Sequence, residues 1–148
     1  MVYIDRYGNA GLGFQLSGEV LRRVPGYSSG SGRVLAPFDE GIVAETLAVP
    51  RRKRTPFMIT DTERLGRVLA AARTAGWVGT RDEFTRSYSS VAAPVLVPAP
   101  SGGIRPAAAI PVVGPTGRIL DLRKDFIAAC VCRAARRVGA LLAQSAED

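Results

Sequence analysis

The feature that most constrains the fold is a pair of apolar runs, SVAAPVLVP at residues 90–98 and IRPAAAIPVV at residues 104–113, separated only by APSGG. Gly102 and Gly103 supply a turn, and the runs read as a β-hairpin whose strands are covered on both faces. Covering a sheet on both faces takes helices, so the hairpin points to helix layered against sheet. Pro111 sits inside the second run. Proline has no N–H to give a ladder, which places that strand at an edge or beside a bulge.

Helical patterns occur on both sides of the hairpin. In TDTERLGRVLAAARTAGW, Thr60 is the candidate N-cap, Glu63 completes a capping box, Leu65, Val68, Leu69 and Ala72 recur at helical spacing, and Gly76 ends the run. A short helix is expected from near Ser29 or Ser31 through Leu35, and another over Asp39 to Val49 with Ile42, Leu47 and Val49 as its apolar residues. Asp121 is the expected cap of a long helix to about Ala143, with an apolar stripe of Ile127, Val131, Ala134, Val138 and Leu141 and with Arg133, Arg136 and Arg137 off it. At the start, VYIDR at residues 2–6 alternates like a half-buried strand and GFQLSGEV pairs with it, while WVGT at 77–80 adds a short strand. The order is α+β with mostly antiparallel pairing, in one domain over residues 1–148.

Composition narrows the function. With 47% hydrophobic and 22% charged residues among 148, the chain can bury a core. No run reaches the roughly 18 consecutive apolar residues that span a bilayer, and no signal-peptide pattern opens the chain, so no membrane partner and a cytoplasmic location are expected. There is no histidine, and the two cysteines, Cys130 and Cys132, diverge by about 200° on a helix. Neither a metal site nor a cofactor is expected. His-based acid/base chemistry is excluded, and the carboxylates, Asp39 with Glu40, Asp61 with Glu63, Asp82 with Glu83, Asp121 with Asp125, sit where caps and turns want acids. No catalytic residue is nominated and the chain reads as a non-enzyme. The net charge of +7 permits an acidic partner; its densest run, RRKR at 51–54, lies between Pro50 and Pro56 without interleaved aromatics and reads as a solvated loop.

The motifs VYIDR, RRVPGYSSGSGRVLA, RRKRTPFMITDTERLGRVLAAARTAGW, DEF, SSVAAPV and VVGPTGRI occur in the order and spacing of the effector-binding domain of IclR-type bacterial transcription regulators. The chain resembles that domain over almost its whole length. The resemblance implies a GAF-like antiparallel sheet flanked by helices, a small-molecule pocket between sheet and loop, and assembly as a homodimer or homotetramer. Family members bind DNA through an N-terminal winged helix-turn-helix head. Because this sequence starts at VYIDR, the head and the first part of the effector domain are missing, the domain is expected to be N-terminally incomplete, and DNA would be reached only through a head outside this chain.

The resemblance also nominates pocket residues. Gly30-Ser31-Gly32 matches the segment where a glycine and its neighbour lie against the ligand; a side-chain-free helix entry can also receive a carboxylate, or be a plain turn. Leu16 and Val24 match apolar walls, and Tyr88 a lining position that is usually aliphatic. Ser90 stands where a cysteine commonly precedes an apolar-Ala-Ala triplet, and Thr80 where an acidic residue occurs; these two either orient a polar ligand or cap turns. Relatives that bind small carboxylic acids carry two serines where this chain has Pro111 and Val113, two residues on one strand face. The exchange implies a drier pocket for an apolar or aromatic effector, unless both residues only fill core. The function implied is ligand sensing that controls a DNA-binding head. The alternative is an orphan GAF-like interaction module that neither binds ligand nor touches DNA.

Overall fold

The computed structural model describes residues 25–146. VYIDR, GFQLSGEV, Leu16 and Val24 lie outside the described residues. The rest runs as α1 (Gly30–Leu35), α2 (Glu40–Ala48), α3 (Thr62–Ala75), β1 (Val78–Arg81), β2 (Tyr88–Pro98), β3 (Ile104–Pro115) and α4 (Lys124–Gln144), with 3₁₀ turns at Gly26–Ser28 and Ala36–Phe38 and a π turn at Gly117–Asp121. The strands form an antiparallel sheet in the order β1-β2-β3. Fold class is α+β, as the hairpin required.

β2 is the centre because it carries apolar residues on both faces. Val91, Ala93 and Val95 pack under α4 against Ala128, Val131 and Ala135, joined by Ile119. On the opposite face Ala92 meets Val34 of α1, Ala72 of α3 and Val78 of β1. A further cluster of Tyr27, Ala36, Met58, Ile59, Leu65 and Leu69 fills the space between α3 and the half-buried side of α2. Burying one such leucine contributes about 1.5–3 kcal/mol.

Pro111 has its explanation in this topology. Among the described residues β3 is an edge strand, the condition that admits Pro111; its register with β2 slips between Val95 and Leu96, opposite Ala108 and Pro106 and away from Pro111. The hairpin is not covered evenly. β2 is buried on both faces, whereas β3 leaves Ile104 and Val112 exposed among its half-buried neighbours.

Three helix details depart from the sequence reading. Asp61, not Thr60, caps α3: its carboxylate accepts the Arg64 N–H at 2.7 Å, because the helix starts one residue later than the capping-box spacing suggests. Asp121 does not cap α4. It pairs instead with Arg81 on β1 at 2.5 Å, a hydrogen bond that raises the Arg81 guanidinium above its ordinary value, and α4 begins at Lys124 without a side-chain cap. The buried face of α4 is Ala128, Val131, Ala135 and Gly139, rotated from the expected stripe; Ala134, Val138 and Leu141 are exposed. Gly139 sets the rotation: a Cβ there would lie 2.4 Å from the Leu96 carbonyl oxygen, so only glycine lets the helix sit this close to β2.

One smaller reading is also revised. Arg51 of the basic run is a structural residue, donating to the Leu47 carbonyl at 2.8 Å and the Thr60 carbonyl at 2.7 Å, which ties the end of α2 to the start of α3. Cys130 and Cys132 are both half-buried. Burial pushes the Cys132 thiol up, against the opposing charge of Arg136, and its Sγ donates to the Gly76 carbonyl at 3.5 Å.

Candidate functional site

The site is built on one row of side chains across the sheet. Thr80 of β1 stands opposite Ser90 of β2, and Ser90 opposite Val113 of β3; two residues along, Ala92 stands opposite Pro111. Direct cross-strand partners share a face, here the face that carries α1. Thr80 Oγ1 and Ser90 Oγ are 2.7 Å apart, hydrogen-bonded and buried. One donates to the other, and neither bonds a turn among the described residues.

α1 presses its first residue onto this row. A Cβ on Gly30 would lie 2.7 Å from Ser90 Oγ, 3.5 Å from Ala92 Cβ and 3.6 Å from Thr80 Cγ2, so a side chain would displace the hydroxyl pair. Ser29 caps the helix, its Oγ accepting the Gly32 N–H at 3.2 Å. Ser31 is 3% exposed and its Oγ has no hydrogen-bond partner among the described residues. Leaving a buried hydroxyl unsatisfied is unfavourable by about 1–3 kcal/mol, which makes this atom the exception in an otherwise paired site.

A cavity of about 40 Å³ lies between α1, the row and the loop after β1. Gly30, Ser31, Thr80, Tyr88, Ser90, Pro111 and Val113 all line it, so every nominated residue within the described range converges on one space. Its chemistry is divided: hydroxyls of Ser31, Thr80 and Ser90 on one side, the apolar Pro111 and Val113 on another. Phe84, Thr85, Ser29 and Ser89 complete the lining and were not nominated from the sequence.

The frame that holds the cavity was also missed. Arg33, 1% exposed, donates from Nη1 and Nη2 to the two Glu83 carboxylate oxygens at 2.6 Å each, and from Nε to the Tyr27 carbonyl at 2.9 Å. Glu83 accepts a third bond from the Ile59 N–H at 2.9 Å. A buried pair with this many partners fixes α1, the 82–87 loop and the segment before α3 as one unit. Asp82 and Ser87, with φ of 54° and 64°, close the loop; Thr116 Oγ1 donates to the Asp82 carboxylate and accepts from Ser89 Oγ at 2.8 Å. One sequence signal pointed here: an arginine inside GSGRVL, a segment too short and apolar to keep it in solvent.

No curated protein matches this sequence. Among solved structures the chain is similar to the C-terminal domain of the Escherichia coli transcriptional regulator KdgR, with 28% identity, 82% of this chain and 73% of that one covered, and a TM-score of 0.69. It shares its fold with an IclR-type transcriptional regulator of Alicyclobacillus acidocaldarius (24% identity, 94% and 54% covered, TM-score 0.78). The same fold occurs in a double mutant of the inducer-binding domain of the PobR transcription factor of Acinetobacter, solved with 3-hydroxybenzoic acid (22% identity, 78% and 66% covered, TM-score 0.66). The chain spans about half the length of the first regulators it resembles, 45%, 54% and 47%. The family model described as the C-terminal region of the bacterial transcriptional regulator IclR matches residues 1–140, so this chain belongs to the IclR family of bacterial transcription regulators.

Proposed function

We propose that residues 1–148 are the ligand-sensing domain of an IclR-family regulator, binding a small organic effector in the cavity at Gly30, Ser31, Thr80, Tyr88, Ser90, Pro111 and Val113. The observation that carries this reading is the Ser31 hydroxyl, buried in the cavity wall without a partner among the described residues. An effector supplies that partner. The effector has one polar end for the hydroxyl side and an apolar or aromatic body for Pro111 and Val113. The domain catalyses nothing; it works in the cytoplasm, as a homodimer or homotetramer, and acts on DNA through a winged-helix head beyond this chain. Control requires that the effector bind one arrangement of the assembly better than another, since equal affinity shifts nothing. The ligand held by the double mutant of the PobR inducer-binding domain, a hydroxylated aromatic acid, is of the class expected.

Thermal melting against a panel of small aromatic and aliphatic acids and alcohols tests the reading. A binder at 100 times its Kd adds about 2.7 kcal/mol of stability. Ser31→Ala should weaken that binder, and Gly30→Leu, which fills the cavity, should abolish the shift. A panel without any shift would favour the second reading, an interaction module, for which the exposed Phe126, Leu141 and Leu142 of α4 speak.

A further inference from the structure

We propose that Phe84 is the gate of the cavity and Arg54 its latch, and that together they select the effectors that enter. The proposal rests on the ligand-sensing reading only for its biological sense; the gate itself is a property of the cavity. As it stands the cavity, partly open to solvent, offers about 40 Å³, room for a few water molecules and far below the ~150 Å³ of a cavity that takes benzene. Any effector with a ring or a short chain therefore needs a wall to move.

Most of the lining residues stand on regular elements. Thr80, Ser90, Pro111 and Val113 belong to the sheet, and Gly30 and Ser31 to the helix fixed by the Arg33–Glu83 pair. Phe84 differs. Its backbone neighbours are pinned, with the Thr55 hydroxyl donating to the Asp82 carbonyl at 2.7 Å and Glu83 held by Arg33 and Ile59, but its own half-buried side chain sits on an irregular loop beneath an exposed cation. The Arg54 guanidinium lies 4.0 Å from the ring centroid, and Arg54 is exposed. The ring thus separates the cavity from a solvent-facing charge. A rotamer change of one side chain opens the space, opposed by an exposed cation–π contact whose loss changes an equilibrium about 2- to 5-fold.

The latch also carries selectivity. Arg52, Lys53, Arg54 and Arg86 are exposed around this loop, and none has an ion-pair partner among the described residues. Glu83 is paired with Arg33, and Asp82, hydrogen-bonded to Thr116, leaves one carboxylate against these four cations. An incoming anion meets a net positive charge and can hold Arg54 away from the ring; a cation of the same size meets repulsion.

The test reads entry without knowing the effector. In the 148-residue chain with Cys130 and Cys132 replaced by alanine, Ser90→Cys places a thiol in the cavity at a position where relatives commonly have one; Ser31→Cys is the second reporter. Labelling is followed with two methanethiosulfonates of similar size, the anionic sulfonatoethyl and the cationic trimethylammonioethyl reagent, each forming a mixed disulfide with release of methanesulfinate. Phe84→Ala should speed both reactions about tenfold or more, as expected when the open state is a minor one. Phe84→Leu, safer for folding, should give an intermediate rise. Arg54→Met, which keeps the stem and removes the charge, should lower the anion-to-cation rate ratio at least about threefold, as should high salt in the parent. Rates within about twofold of the parent in both Phe84 variants, less than the latch alone is worth, overturn the gate, and an unchanged ratio in Arg54→Met overturns the latch. Gated labelling in a chain that no panel compound stabilises would sink the ligand-sensing reading and leave the gate standing.

Discussion

Gly30 and Ser90 compete for one small volume, and their coupling can be measured. Gly30→Ala brings a Cβ to 2.7 Å from the Ser90 hydroxyl, and overpacking of this kind is unfavourable by about 1–3 kcal/mol, although alanine is the better helix former. In a Ser90→Ala background the clash is relieved, so Gly30→Ala should be nearly neutral there; urea unfolding of the four proteins gives the interaction energy, and additive losses would contradict the contact. Arg33 makes a larger case. Arg33→Met leaves the Glu83 carboxylate buried with one backbone N–H as partner, and breaking a buried pair in this way typically removes about 3–5 kcal/mol. The double variant with Glu83→Leu should recover much of that in the same unfolding experiment. The arginine inside GSGRVL was a signal, but its pairing with Glu83 was not visible in the sequence. An arginine and a glutamate fifty positions apart carry no periodicity that pairs them, whereas the glycines and serines before α1 announced a helix entry by their residue types alone.

At the scale of elements, local signals located the helices and strands, and packing then chose their rotation and their caps. The spacing Thr60 to Glu63 satisfies the capping-box rule, yet Asp61 carries the cap, so Asp61→Ala should lose about 1 kcal/mol while Thr60→Ala stays within about 0.5 kcal/mol. Thermal melts of the two variants distinguish them, and equal losses would return the cap to Thr60. The expected stripe on α4 followed hydrophobicity, but the helix turns Ala128, Ala135 and Gly139 to the sheet because small residues permit the closest approach to β2, and so Val138 and Leu141 are left outside. A moment computed from hydrophobicity cannot see that preference. The hairpin, by contrast, was legible almost to the residue, since its two runs and glycine turn allow one register with both faces of β2 buried. The seven nominated cavity residues converge because they lie on these legible elements; Phe84 and Thr85 escaped because they sit on an irregular loop.

At the scale of the molecule, Leu122 and Phe126 are 78% and 66% exposed around the start of α4, and Leu141 and Leu142 are 55% and 45% exposed at its end, two bare apolar spots on one helix that favour association. The isolated chain should therefore self-associate, with light scattering reporting a mass above 15.7 kDa and Phe126→Glu with Leu141→Glu shifting it toward monomer. A monomeric parent at high concentration would leave these spots without a role in assembly. The cavity has a different consequence, one in time rather than in energy. Its walls come from residues near 30, 80–90 and 111–113, and the Arg33–Glu83 clasp closes a fifty-residue loop, so the site assembles only after distant segments meet. Contacts of such sequence separation form late on the folding path, and changes to them fall mainly on the unfolding limb of the chevron. An effector that fills the cavity should accordingly slow unfolding while leaving the refolding rate almost unchanged, and a sensor built this way lengthens the life of its own folded state for as long as its signal is present.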